Sequence, residues 1–249
     1  MVEIIHIKDS QIPELKRSIA CIGYFDGMHK GHQKLIRECV LQSERSDCIA
    51  SMICFTPDPA EVIFNRKIEH LFSDEERFSL AESFGIIQII LIEFSRDFMK
   101  LDPSIFIHEY LEKMNLVKLI CGYDFSFGAQ GKGDVSFLKE NTSIDTIVIE
   151  EESYLGSKIS STRIKEAVKR GDFRLSEELL GFPYYFILKC NKTSQNKDKW
   201  LSEYVLYDEG CIIPEDGVYP DLFEVRNDTF YIENDRKPED NSIIRINTI

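Results

Sequence analysis

The sequence predicts an α/β fold built on a parallel sheet, filling about the first three-quarters of the chain, with a small all-β module after it. Three observations predict it. Apolar strand-like runs alternate with helix-period segments over roughly 150 residues. A glycine-rich turn carrying two histidines joins the first such run to the first such helix. Past Gly181-Phe182-Pro183 the helical pattern stops and short strand-like runs replace it.

Residues 19–25 (IACIGYF) read as a buried strand closing at Gly23 and Gly27. A helix over 31–43 follows, with Leu35, Ile36, Cys39 and Val40 at helical spacing. The apolar run 48–55 is a second strand, stopped by a turn at Pro57 and Pro59. Ser73 with Glu76 three residues on marks the start of the next helix, which carries Phe78, Leu80, Ala81 and Phe84. Strand 86–94, helix 103–114, strand 117–121, strand 144–150 and helix 161–170 complete the alternation. The expected domain boundary falls at 183, giving a nucleotide-binding domain over 1–183 and a β module over 184–249. In the module, runs 184–190, 201–207, 218–225, 229–232 and 243–248 read as strands between polar turns. Its ~65 residues are near the lower limit for independent stability, so packing on the first domain is expected.

Composition narrows the class. In 249 residues, 43% are hydrophobic and 29% charged, which excludes disordered and fibrous chains. The apolar run 84–94 is far short of the ~18 residues a membrane span needs, and it is interrupted by Gln88 and Glu93. The first ten residues lack the basic and apolar regions of a signal peptide. Seven scattered cysteines with no CxxC pair argue against a disulfide framework or zinc site and suit a reducing cytoplasm, each cysteine reading as a small buried hydrophobe. A net charge of −13 without a basic run argues against nucleic acid or an anionic membrane as partner. Any anionic ligand would need a site built locally from backbone N–H groups, helix N-termini and a few cations.

Gly23-Tyr24-Phe25-Asp26-Gly27-Met28-His29-Lys30-Gly31-His32 offers such a site. Two histidines three apart at a helix N-terminus share nearly one face, where their rings would join the free N–H groups of the first turn around an anion. Gly23, Gly27 and Gly31 let a phosphate approach the backbone. Alone, such a pair equally describes two surface histidines in a turn, and no third ligand suits a metal. Ser160, Ser161 and Thr162 precede another helix and gather hydroxyls and amides, with Arg163 and Lys165 adding charge; a plain N-cap is the other reading. In the Gly122–Gly133 loop, Phe125 and Phe127 are either an apolar ligand wall, with Asp124 as a polar fixing group, or core.

These segments, in this order, resemble the prokaryotic FAD synthetases, the bifunctional riboflavin kinase/FMN adenylyltransferase family within the HxGH nucleotidyltransferases. GYFDGMHKGH resembles the nucleotide-binding signature, Cys54 to Pro59 (CFTPDP) the Pro-flanked loop, and Cys121 to Gly128 with Gly131 to Asp134 the flavin-side loop. Ile159 to Lys165 (ISSTRIK), with Gly171-Asp172 and Leu180 to Pro183, resembles the second ATP signature; together they span about 15–185.

The resemblance implies a Rossmann-like domain, ATP and FMN as substrates and Mg²⁺ bound chiefly through phosphates. It implies in-line attack of an FMN phosphate oxygen on the α-phosphorus of ATP, releasing pyrophosphate. That phosphate is mostly ionised at neutral pH (second pKa about 6), so positioning and charge stabilisation matter more than a base. It assigns His29, His32, Ser161, Thr162 and Arg163 to catalysis. Gly23, Tyr24, Phe25, Asp26, Gly27, Lys30, Pro57, Asp58, Asp124, Phe125, Phe127, Ser160 and Lys165 bind substrate, with Asp26 a turn residue rather than a base.

Three departures stand out. Asp58 replaces the family's usual His, placing a carboxylate near phosphates. Lys165 replaces a frequent Arg, keeping charge without bidentate geometry. The region after Phe186 is about half the length of the family's kinase module and lacks its GFPTAN-like loop, although Pro214 to Tyr219 faintly resembles one of its strands. The expectation is an FMN adenylyltransferase without riboflavin kinase activity. The alternatives are a non-catalytic flavin- or nucleotide-binding regulator, and an HxGH adenylyltransferase for another acceptor.

Overall fold

Residues 2–196 and 199–248 are described in a computed structural model. By internal packing the chain forms two units: Met1–Ile68 with Asp74–Lys158, and Glu69–Ser73 with Ile159–Ile249.

The first unit holds strands β1 (Glu3–Ile7), β2 (Ser18–Ile22), β3 (Ile49–Thr56), β4 (Gln88–Glu93), β5 (Leu116–Gly122) and β6 (Asp145–Ile149). They form one sheet in the order β1-β4-β3-β2-β5-β6, with every pairing parallel. Between them run α1 (Lys30–Glu44), α2 (Pro59–Phe64), α3 (Asp74–Ser83), α4 (Pro103–Glu109) and α5 (Val135–Asn141), and β6 is followed by a hairpin of β7 (Ser153–Tyr154) and β8 (Ser157–Lys158). Successive side chains of a strand face opposite sides of the sheet, and both sides here are apolar. Ile19 and Cys21 of β2 join a cluster with Ile36 and Cys39 of α1 and Phe78 and Ala81 of α3. Ala20 and Ile22 join the opposite cluster, with Phe106 and Ile107 of α4 and Leu138 of α5. This two-sided burial explains why the strands read as continuous apolar runs.

The second unit holds α6 (Ser161–Lys169), α7 (Phe173–Leu180) and the strands β9 (Tyr185–Asn196), β10 (Lys199–Leu206), β11 (Gly217–Tyr219), β12 (Phe223–Arg226), β13 (Thr229–Asn234) and β14 (Ile243–Asn247). The strands make an antiparallel sheet in the order β11-β12-β13-β10-β9-β14. Phe173 of α7 packs edge-on against Phe186 and Phe223 and meets the Tyr219 ring at 5.5 Å. The α6–α7 turn depends on Gly171 at φ 69°, where an added Cβ would lie 2.2 Å from the Tyr219 ring. These contacts place residues 159–183 with the β module by packing, whereas the sequence reading groups them with the nucleotide-binding segment.

The five-residue piece 69–73 also belongs to this unit. His70 donates its N–H to the Gly210 carbonyl at 2.8 Å, and its own carbonyl accepts from Ile212 N–H at 2.8 Å. The Tyr184 hydroxyl donates to the Leu71 carbonyl at 2.8 Å, and the Phe72 ring stacks on Tyr184 and Tyr185 at 5.2 and 4.7 Å.

Several expectations need correction. The strand expected over 19–25 ends at Ile22, because the chain from Gly23 bends into a turn with Phe25 and Met28 both at positive φ. The expected helix 103–114 breaks at Tyr110 and finishes as a 3₁₀ turn over Leu111–Met114, closed by Asn115 in the left-handed region. The strand expected at 218–225 is two strands, β11 and β12, hinged where Asp221 has φ 62°. Strand β1, helices α2, α5 and α7, and the β7–β8 hairpin are additions to the expected elements.

Candidate functional site

In the sheet, β2 lies between β3 and β5, so the strand order reverses between β2 and β5. Ligands of open parallel sheets bind at the carboxyl ends of the strands at such a reversal. Here those ends continue into the two glycine-bearing segments singled out above. Gly23 leaves β2, its N–H held by the Ile53 carbonyl at 3.1 Å, and Tyr123 leaves β5, its N–H held by the Ile149 carbonyl at 3.0 Å.

After Gly23 the chain makes a 3₁₀ turn over Asp26–Met28, with Gly27 at φ 80° and Asp26 buried within it. Buried Gln33 donates from Nε2 to the Met28 carbonyl at 2.9 Å and fixes the turn's exit. His29 is then the N-cap of α1, its Nδ1 accepting the His32 N–H at 3.3 Å. This refines the sequence reading, in which both rings joined free N–H groups: His29 consumes one of those groups. With Nδ1 accepting, the proton of the neutral His29 ring sits on Nε2. That nitrogen is therefore a hydrogen-bond donor.

The His29 and His32 rings stack, with centroids 3.7 Å apart and planes 14° apart. Protonating either would bring a charge against its neighbour in a desolvated place. Accordingly, burial first pushes His29 down to about 4, partly opposed by the Asp26 carboxylate. Burial also holds His32 well below its usual value, helped by His29, Arg77 and Lys158. His32 Nδ1 is buried with no hydrogen-bond partner among the described residues. The arrangement is a pair of neutral imidazoles at a helix N-terminus, suited to receive hydrogen-bonding anions.

Two cations near this pair escape a reading by spacing. Arg77 of α3 is 2% exposed; it donates from Nη1 to the Tyr24 carbonyl at 2.6 Å and from Nη2 to Asp74 Oδ1 at 2.7 Å. Lys158, at the end of β8, pairs with Asp124 and donates to the Tyr123 hydroxyl at 3.2 Å, while that hydroxyl donates to Glu151 at 2.6 Å. Its charge reaches both histidines. Asp124 thus serves as an ion-pair partner in the loop after β5.

Asp58 has a local role. It is the N-cap of α2, Oδ1 accepting the Ala60 N–H at 2.7 Å, with Pro59 as the first helical residue. Beside it lies an apolar cavity of about 190 Å³, walled by Phe55, Ile63, Phe94, Phe98, Phe125 and Phe127. Phe127 is only 8% exposed and stacks on Phe125 at 5.4 Å, so it is both core and cavity wall. The Phe127 and Gly133 backbones exchange two 2.9 Å hydrogen bonds that close this loop.

In the second unit, Ser160 caps α6 by accepting the Arg163 N–H at 3.3 Å. Ser161, Thr162, Arg163 and Lys165 occupy its first turns. Ser160 is thus the N-cap of this helix. Among the described residues no group of three His, Cys, Asp or Glu side chains is placed to hold a metal ion. An ion arriving with a nucleotide would take its oxygens from phosphates and water. Five cysteines are buried, and burial pushes Cys54 up to about 12 and Cys121 to about 11, as expected of inert packing residues. No helix among the described residues is long and apolar enough to cross a membrane.

Residues 11–163 match the family described as FAD synthetase. An FAD synthetase from Listeria monocytogenes is 27% identical over 224 residues, covering 87% of this chain and 89% of its own. A bifunctional riboflavin kinase/FMN adenylyltransferase from the same organism is 25% identical over 221 residues, covering 85% and 69%. A solved structure described as a macrolide-efflux protein from Streptococcus pneumoniae aligns with a TM-score of 0.85 at 23% identity, over 99% of this chain and 89% of its own. At that identity the likeness is one of fold.

Proposed function

Because this chain belongs to the FAD synthetase family, we propose that it transfers the adenylyl group of ATP to FMN, giving FAD and pyrophosphate. The observation that carries the proposal is the stacked pair of neutral histidines at the α1 N-terminus, in the crevice where the strand order reverses. An FMN phosphate oxygen attacks the α-phosphorus in line, and the bond from that phosphorus to the bridging oxygen breaks as pyrophosphate leaves. The Nε2–H of His29 and the His32 ring take up charge on the transferring and leaving phosphates, aided by Lys30. The Gly23–Gly27 backbone, with Tyr24, Phe25 and Asp26, shapes the place for the nucleotide. In the second unit, Arg163 and Lys165 bring positive charge, and Ser160, Ser161 and Thr162 bring hydroxyl donors, to the start of α6, groups suited to phosphate oxygens.

The isoalloxazine ring takes the phenylalanine-walled cavity, with Asp124 and the Pro57-Asp58 turn at its border. At about 190 Å³ the cavity is smaller than the ~300–1,000 Å³ usual for small-molecule sites, so its wall must yield. Ile63, 52% exposed on the short α2, is the side chain with room to do so. Magnesium would enter with ATP and neutralise phosphate charge. Residues 1–183 are the segment proposed for adenylyl transfer, and 184–249 a kinase-like remnant without riboflavin kinase activity. In support of the latter, the stretch from Tyr185 to Asn196, where the kinase module's GFPTAN-like nucleotide loop would be sought, is the strand β9.

The test is to incubate the full chain with ATP, Mg²⁺ and either FMN or riboflavin, then separate the flavins by chromatography. FAD from FMN and no product from riboflavin is the expected result. FMN appearing from riboflavin would refute the loss of kinase activity. If FMN binds, by fluorescence titration, yet no FAD forms, the chain is a flavin-binding regulator instead.

A further inference from the structure

Beneath the Gly23–Gly27 turn lies a charged side chain that no substrate motif includes. Arg77 is among the most buried large residues of the chain. Its guanidinium donates to the Tyr24 carbonyl and to Asp74, lies 4.4 Å from the Tyr24 ring centroid and 5.3 Å from that of Phe78, and leaves a buried Nε without a hydrogen-bond partner among the described residues. A fixed cation in such a place is a poor device for stability. Its desolvation is expensive, and a well-packed apolar residue often serves a fold as well or better. Arg77 also grips the backbone between β2 and the histidine pair from a different element, at the Tyr24 carbonyl, while Gln33 of α1 holds the exit of the same turn at Met28. Tyr24 is five residues before His29, and the intervening turn holds two non-glycine residues at positive φ, Phe25 and Met28. A turn of that kind persists only where its surroundings hold it.

Building on the adenylyltransferase reading above, we propose that Arg77 is a positioning residue for that site: its forked guanidinium clamps the Gly23–Gly27 turn at the Tyr24 carbonyl and thereby sets the placement of the His29–His32 stack. A forked, planar cation suits the task because it addresses Tyr24 and Asp74 in one plane while stacking on an aromatic ring. Lysine keeps the charge and can reach only part of that set. Arg77 contacts neither reacting phosphate in this account; it acts through the turn.

The experiment compares wild type with Arg77→Lys and Arg77→Met in the full chain. Three readouts are taken: thermal unfolding, kcat and KM for ATP and FMN, and NMR of the His29 and His32 rings, whose stacking shifts their resonances. Arg77→Met is expected to fold, to lower kcat at least tenfold with the KM for FMN within about threefold, and to lose the stacked-ring shifts. Arg77→Lys should restore part of both kcat and the ring shifts. If Arg77→Met does not fold, Arg77→Lys decides, because a folded Lys variant with wild-type kcat and ring shifts overturns the proposal. A Met variant that melts lower but keeps wild-type turnover and ring shifts overturns it too, leaving Arg77 a packing residue. If wild type makes no FAD, the adenylyltransferase reading fails on its own, and the ring shifts still report whether Arg77 places the histidines.

Discussion

At the scale of single residues, His29 does two things that ordinary mutagenesis would confuse: it caps α1 through Nδ1, and in the proposed chemistry it donates through Nε2. Two substitutions separate them. His29→Asn retains a short acceptor favoured at N-caps, and His29→Ala removes it at about 1 kcal/mol of stability. Both are expected to reduce FAD formation ~10²-fold or more, as for loss of a preorganised charge-stabilising donor. Chromatographic rate measurements on the folded variants decide; wild-type turnover in His29→Asn would remove the ring from the chemistry. The same residue predicts a pH dependence. In the unfolded chain its ring titrates near 6.5, and in the folded chain at about 4. Between those values the unfolded state binds more protons, so stability rises with pH there and is lost as pH falls toward 4, by up to about 1.4 kcal/mol per pH unit for this one ring. Urea titrations from pH 4.5 to 7 should show a shallower dependence in His29→Asn than in wild type, and parallel curves would contradict the buried neutral ring. Arg77 and Lys158 were not legible beforehand, because Tyr24 is 53 residues from Arg77 and Asp124 is 34 from Lys158. No local spacing announces such pairs. The histidines, by contrast, lie on one turn of helix, where sequence spacing is spatial proximity.

At the scale of elements, α2 shows how a change of residue type is absorbed. An acid at position 58 looks unfavourable beside phosphates, yet it caps the helix start that the following Pro59 favours. Asp58→Asn should melt within about 0.5 kcal/mol of wild type, since Asn caps comparably, whereas Asp58→Ala should lose about 1 kcal/mol. Equal melting of the Ala variant in differential scanning calorimetry would show that the cap contributes nothing. Elements buried on two sides are legible in the sequence: β2, β3 and β4 are dominated by apolar residues, and α1 has its apolar residues at helical spacing. Those missed are short or polar. Helix α5 has one buried residue, Leu138, and α2 none, so neither writes a periodic stripe. The run 218–225 reads as one strand because Val218, Tyr219, Phe223 and Val225 are strand formers and Leu222 is apolar; the break at Pro220-Asp221 is set by turn chemistry.

At the scale of the whole molecule, the chain enters the second unit twice, once for residues 69–73 and again from 159 onward. The module therefore cannot be removed by a single cut. A chain ending at residue 183 keeps the adenylyltransferase motifs but leaves Leu71 and Phe72 without Tyr184 and Tyr185, and His70 without its partners at 210 and 212. Such a truncation is expected to be markedly less stable and prone to aggregate, as judged by light scattering during thermal unfolding. A truncated chain as stable and monodisperse as the full one would mean that 69–73 needs no partner. The same threading has a consequence for synthesis. When the ribosome completes residue 158, every strand of the parallel sheet exists, yet Gly210 and Ile212, which the His70 backbone meets in the folded chain, are still to be made. At ~5–20 residues per second the wait for residues 210–212 is about 3–11 seconds. Through that interval the pairing of His70 with residues 210 and 212 is still to form, so a late-made segment finishes a loop made in the first third of the chain.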